Sequence, residues 1–204
     1  GIHMGLSGIP WWTTDIGGFH NGVAADPDFK ELLIRWFQFG TFCPVMRLHG
    51  SRQPYTPIYN KAGELREGTG TDNEVWSYGE EAYQIMTKFI RVRELMRNYT
   101  RSLMQQAHEN GHPVLRALFY EFPSDPICWD IKDSYLFGSD LLVAPICHAH
   151  AVDRQVYLPA GASWTDARTG AVYEGGQWIM ADAPMDTLPV FLRDGRQDYL
   201  IGEI

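Results

Sequence analysis

The stretch Gly8-Ile-Pro-Trp-Trp-Thr-Thr-Asp15, continued as Ile16-Gly17-Gly18, decides how the first half of the chain is read. It is rich in aromatic and β-branched residues, and the paired glycines end it abruptly. This predicts a buried strand running into a loop, with Asp15 at the strand's C-terminal end. Working outward, Asp28-Phe-Lys-Glu-Leu-Leu-Ile-Arg-Trp-Phe-Gln-Phe39 places apolar residues at 29, 32, 33, 36, 37 and 39. That spacing predicts a helix, with Asp26-Pro27 as its start. Pro44-Val-Met-Arg-Leu-His49 predicts a second strand, closed by Gly50. Strand, helix and strand in this order predict two parallel strands covered by the helix.

Residues 51–74 hold Pro54, Pro57, Gly63, Gly68 and Gly70 among polar residues and show no sustained period, so they read as a long functional loop. From residue 80 to 110 the apolar positions stripe one broad face of a helix, and Asn110-Gly111 is its stop signal. After His112-Pro113 the chain changes to short apolar runs between turn residues, at 114–122, 135–137, 141–146, 155–158, 163–166, 171–173, 177–180 and 188–192. This spacing predicts an all-β module. The expected division is therefore an α/β unit over residues 1–111 and a β unit over 112–204.

Composition narrows the function classes. Of 204 residues, 45% are apolar and 21% charged, enough for a sizeable core and against disorder. Seventeen basic against 25 acidic residues leave a formal charge of -8, the wrong sign for neutralising phosphates, so nucleic acid is not an expected partner. No apolar run is long enough for a membrane span and no signal-peptide layout opens the chain, so no membrane partner is expected. Cys43, Cys128 and Cys147 lie far apart without a C-x-x-C pair, which argues against a disulfide scaffold or structural zinc and fits a cytoplasmic setting. His148-Ala-His150 lacks an evident third ligand, so neither metal nor cofactor is expected. The seven Trp and ten Tyr suit sugar surfaces as well as cores; Trp11, Trp12, Trp76, Trp129, Trp164 and Trp178 are all expected in packed positions.

Ligands of parallel α/β folds gather at the C-terminal ends of strands, where Asp15 closes one strand and Arg47 and His49 the next. By the period-two rule Trp11, Thr13 and Asp15 share one face, as do Arg47 and His49. A carboxylate beside an imidazole and a guanidinium offers acceptors and donors to vicinal hydroxyls.

The segment Met4-Gly-Leu-Ser-Gly-Ile-Pro-Trp-Trp-Thr-Thr-Asp-Ile-Gly-Gly-Phe19 resembles the strand-and-loop signature of glycoside hydrolase family 31, the α-glucosidase and α-xylosidase family. Phe42-Cys-Pro-Val-Met-Arg-Leu-His-Gly50, Val75-Trp-Ser-Tyr-Gly-Glu-Glu81 and Asp133-Ser-Tyr-Leu-Phe-Gly-Ser-Asp-Leu-Leu-Val-Ala-Pro145 follow in the family's order, and the tail from Tyr157 to Leu192 is also similar. The resemblance implies the C-terminal part of a (β/α)8 TIM barrel followed by an antiparallel β-sandwich. It implies part of a retaining hydrolase acting on α-linked oligosaccharides or glycosides, with Asp15, His49, Arg47 and Phe19 binding substrate. By the same resemblance the nucleophile and acid/base lie on earlier barrel strands, upstream of Gly1, so the chain alone is expected to be inactive. A partial barrel leaves strand edges and inner helix faces open, which predicts aggregation, oligomers through those edges, or folding of the β unit alone. Two rival readings remain: a carbohydrate-binding or structural module without chemistry, and an unrelated barrel hydrolase in which Asp15 is catalytic.

Overall fold

Asp26 does what its position predicts: its side chain accepts a hydrogen bond from the Asp28 backbone N–H at 3.0 Å, with Pro27 in the first turn, where a missing N–H is harmless. The computed structural model describes the backbone of residues 1–204 and every side chain except those of Glu67 and Thr69. A short helix, α1 (Ile2–Leu6), opens the chain, and α2 (Pro27–Thr41) buries Phe29, Leu33, Ile34 and Phe37.

The segments predicted as strands at 8–15 and 44–49 are extended and parallel but form no regular ladder. They meet in one parallel bridge, Ile16 to Leu48, supported by Val45 N–H donating to the Trp12 carbonyl and Ile16 N–H to the Arg47 carbonyl, both 3.2 Å. Pro10 and Pro44 offer no N–H, which shortens the pairing that these segments can make.

Residues 51–74 are not the loop that their aperiodic sequence predicts but contain a hairpin: β1 (Arg52–Tyr59) pairs antiparallel with β2 (Leu65–Thr71). Most of β1 is exposed on both faces, so no apolar alternation marks it. The turn is held by the Asn60 side chain, whose Oδ1 accepts from the N–H groups of Ala62 and Glu64 at 2.9 Å each. The predicted helix over 80–110 is two, α3 (Glu80–Leu95) and α4 (Arg97–Asn110), broken at the fully buried Met96. The apolar stripe runs through the break, so periodicity does not reveal it. Gly111 ends α4 in the left-handed region at φ 71°, its N–H donating to the Ala107 carbonyl at 3.1 Å.

Beyond it, β3 (Leu115–Arg116) is followed by a single helical turn, α5 (Leu118–Glu121), where the reading expected one strand over 114–122. Then come β4 (Tyr135–Phe137), β5 (Leu141–Val143), β6 (Asp153–Leu158), β7 (Ser163–Asp166), β8 (Val172–Glu174), β9 (Gln177–Asp182) and β10 (Val190–Arg193). A six-stranded antiparallel sheet of order β3-β4-β5-β10-β7-β8 faces the β6-β9 pair.

The central strands belong to two cores at once. Tyr135, Phe137, Leu141, Val143, Val190 and Leu192 pack with α2, α3 and α4, whereas Leu136, Leu142 and Phe191 pack with Val156, Leu158 and Trp164. Burial on both faces is why these strands read as continuous apolar runs. The Tyr99 hydroxyl donates to the Phe137 carbonyl and the Tyr135 hydroxyl to the Phe42 carbonyl, both at 3.0 Å, fixing helices to sheet. Of the tryptophans expected in packed positions, Trp164 is fully buried, but Trp11, Trp76, Trp129 and Trp178 are exposed. Among the described residues no helix is long and apolar enough to cross a membrane.

Candidate active-site face

The two extended segments alternate as strands should. Trp12 reaches the Phe39 ring at 6.2 Å, Thr14 accepts a hydrogen bond from Trp36 Nε1 at 3.1 Å, and Ile16 is fully buried, so the even positions face α2. The odd positions, Trp11, Thr13 and Asp15, face away, and on the second segment Val45, Arg47 and His49 are exposed while Met46 and Leu48 join the core.

On this open face the structure brings Asp15 and Arg47 into a direct ion pair, Arg47 Nη2 donating to Asp15 Oδ1. Phe19 stacks on the His49 ring with centroids 5.5 Å apart, and His20 meets Phe19 edge-on at 4.3 Å. Phe19 is 53% exposed, so its ring is available to a ligand. All four residues singled out in the sequence thus lie at the C-terminal ends of the paired segments. Trp11, expected in the core, is 64% exposed on the face of Asp15; the period-two rule carried that signal and was outweighed by the expectation that tryptophan is packed.

Two residues that shape this face carried no sequence signal. Arg93 holds the turn entering the second segment, donating to the carbonyls of Thr41, Cys43 and Pro44 at 2.7, 2.7 and 2.8 Å. Arg52, fully buried, donates to the carbonyls of Ile16 at 3.0 Å and Gly18 at 2.8 Å, and through Nε to the Tyr78 hydroxyl at 3.1 Å. Burial raises the Tyr78 hydroxyl's pKa, and the bond with Arg52 only partly offsets it. Gly50 sits at φ 132°, where a Cβ would come within 2.3 Å of the Gly18 carbonyl oxygen, so the two loops meet backbone to backbone.

A groove of about 810 Å³ lies elsewhere, on the α2 side of the first segment between Thr14, Trp36, Phe119, Trp129 and Ile146. His150 pairs with Glu31 at 2.9 Å, and among the described residues no three His, Cys, Asp or Glu side chains gather as a metal-ligand set.

Residues 1–103 match the TIM-barrel domain of glycosyl hydrolases family 31, and residues 111–196 match the C-terminal domain of that family. The chain belongs to glycoside hydrolase family 31. Its fold is the C-terminal part of the family's barrel followed by its β-sandwich domain. An α-xylosidase of Saccharolobus solfataricus is 32% identical over the whole chain, which covers 25% of that protein. Alpha-glucosidase 2 of Bacillus thermoamyloliquefaciens is 36% identical over 95% of the chain, 22% of its own length. A family 31 α-xylosidase from a soil metagenome, solved with xylose, superposes at a TM-score of 0.94 with 49% identity, over 98% of this chain and 30% of that one. The chain therefore spans between a fifth and a third of the length of these relatives.

Proposed function

We propose that this chain forms part of the sugar-binding face of a retaining α-glycoside hydrolase of the α-xylosidase or α-glucosidase type, acting on terminal α-linked sugars. The single observation that carries this reading is that the Asp15–Arg47 pair and the Phe19–His49 stack lie at the ends of two parallel segments, with Arg47, His49 and Phe19 exposed. Asp15 accepts from sugar hydroxyls, Arg47 holds the carboxylate and donates, His49 offers a ring nitrogen, and Phe19 and Trp11 supply flat apolar faces for the C–H side of a pyranose ring. The xylose bound by the soil-metagenome relative supports a pyranose as ligand.

We propose further that the chain alone does not hydrolyse glycosides. Retention requires two carboxylates about 5 to 5.5 Å apart across the anomeric carbon. This face offers Asp15, already engaged by a guanidinium, and the segment 44–50 carries no carboxylate. We assign the nucleophile and the acid/base to barrel strands outside this chain, and residues 1–111 and 112–204 to its barrel and sandwich portions.

Titration of the chain with xylose and glucose, beside Asp15→Asn and His49→Ala, tests the reading. Affinity lost in both variants supports it, whereas affinity kept in both moves sugar binding to the sandwich and makes the chain a non-catalytic module. Hydrolysis of a chromogenic α-xyloside or α-glucoside that Asp15→Asn abolishes would make Asp15 catalytic and overturn the assignment.

A further inference from the structure

Arg52 is fully buried, and among the described residues it has no carboxylate partner: its acceptors are the carbonyls of Ile16, Gly18, Asn21 and Ser51 and the Tyr78 hydroxyl. A buried guanidinium is retained only where its surroundings replace water well, and here backbone oxygens of one loop do so. That loop, 16–22, is the one that carries Phe19. Gly17, Gly18, Asn21 and Gly22 in it all sit at positive φ, and besides Arg52 it is tied by Asn21 N–H donating to the Tyr55 hydroxyl at 2.9 Å and by backbone bonds to the start of β1. The fit around the guanidinium is tight: a Cβ on Gly17 would lie 2.6 Å from Arg52 Nη2, and one on Gly50 would lie 2.8 Å from Nη1. The Phe29 ring, 5.3 Å from the guanidinium carbon, closes the remaining side.

The second link runs to the hairpin. Ser51 N–H donates to the Phe19 carbonyl at 2.9 Å, Gln53 N–H to the Gly22 carbonyl at 2.8 Å, and the Tyr78 hydroxyl donates onward to Asn73, whose Nδ2 donates to the Gly50 carbonyl at 3.0 Å. One side chain thus joins the end of the first strand segment, the Phe19 loop, the start of β1 and the turn before α3.

Resting on the sugar-site reading above, we propose that Arg52 is a positioning residue of the substrate face: it fixes the 16–22 loop and so presents the Phe19 ring against His49 before a sugar arrives. A loop with four positive-φ residues has many alternative shapes. Choosing one in advance removes the ordering that binding otherwise has to supply. Arg52 touches no ligand in this scheme; it acts through Phe19.

The test uses the full chain with 4-fluorophenylalanine at Phe19 and, separately, at the buried Phe37, read by fluorine NMR. In the wild type each label gives one narrow line. In Arg52→Met the Phe19 line broadens or splits while the Phe37 line stays narrow. Arg52→Lys, which keeps the charge and has fewer donors, falls between the two and serves if Arg52→Met does not fold. An unchanged Phe19 line in both variants overturns the proposal, and so does equal broadening at Phe37, which marks general loosening. Titration with xylose then weakens by about tenfold in Arg52→Met, the penalty of ordering the loop on binding, with partial recovery in Arg52→Lys. If the wild-type Phe19 line does not respond to xylose or glucose, the sugar-site reading fails, and the line shapes still decide the role of Arg52.

Discussion

Arg47 donates a hydrogen bond to the Asp15 carboxylate across two parallel segment ends, and the arginine side chain remains 51% exposed. An ion pair this open to water contributes about 0 to 1 kcal/mol to stability, whereas a charged hydrogen bond to a bound ligand is worth about 1.5 to 3 kcal/mol. Arg47→Ala and Asp15→Asn are therefore expected to leave thermal unfolding nearly unchanged while weakening sugar binding by about tenfold or more. Thermal melts and sugar titrations on the same preparations check this. A large fall in melting temperature with affinity intact would reduce the pair to a structural contact.

The three cysteines separate by burial. Burial pushes the Cys43 thiol up to about 12, and Cys128 up to about 12 as well, whereas Cys147 is exposed. The thiolate is the reactive form, so near pH 8 a disulfide reagent should titrate one thiol quickly in the native chain and three after denaturation. Partial burial also raises the Cys147 thiol, which makes that one reaction slower than that of a free cysteine. Fast titration of two thiols would show that the region around Cys43 or Cys128 opens readily.

Trp164 is fully buried in the sandwich core, with Nε1 donating to the Pro159 carbonyl at 3.0 Å and the Phe122 ring 5.8 Å away. Trp164→Ala removes the packing and leaves that carbonyl without its donor. A loss of about 3 to 5 kcal/mol is expected, measured by urea unfolding. Trp178, on the same sandwich but 51% exposed, should lose far less when truncated.

Much of this architecture was legible in the chain because local chemistry and burial agree there. Asp26-Pro27 starts a helix, Gly111 ends one, and the strands Tyr135–Phe137 and Ser163–Asp166 lie where their apolar runs predict. Asp15, Arg47, His49 and Phe19 were singled out because strand ends attract ligands and because the family-like motifs stand in order, and the structure places them at the ends of the two paired segments. What was hidden has a physical reason in each case. The β1–β2 hairpin buries almost nothing, so it leaves no periodic trace. Met96 is buried at a helix break, so the stripe continues through it. Arg52 and Arg93 bind carbonyl oxygens, which every residue possesses, so no pattern of side chains announces them.

Asp125 gives the fold an acid-sensitive joint. Burial opposes its charged form, but hydrogen bonds from the Ala160 N–H at 2.9 Å, the Tyr157 hydroxyl at 2.7 Å and the Ile127 N–H at 3.1 Å outweigh it, and the carboxyl stays below its usual value of 3.8. A carboxyl depressed on folding contributes stability above its unfolded value, and that contribution is lost as pH falls through the folded value. Stability should therefore drop below about pH 3.8, and Asp125→Asn should flatten that part of the curve while lowering stability at neutral pH. Unfolding free energies measured at stepped pH decide this; an identical acid limb in the variant would clear Asp125 of the effect.

Limited proteolysis tests how the two halves depend on each other. The family matches divide between residues 103 and 111, and the sequence alone favours a sandwich that survives by itself after a cut there. The packing argues otherwise. Phe89 of α3, Met96 at the break and Leu103 of α4 share one core with Phe137, Leu141 and Leu192 of the sheet. Arg35 of α2 also donates to the carbonyls of Ala183 and Thr187 at 2.7 and 2.9 Å. Separating the halves would expose apolar surface on both and leave buried polar groups unpaired. The β1–β2 hairpin, with little buried, is the weaker point, and Lys61 lies in its exposed turn. Trypsin should cut first at Lys61 or Arg66, giving two pieces that remain associated under native conditions. A stable product beginning near residue 111 would show instead that the sandwich folds without the helices and that the shared core is dispensable to it.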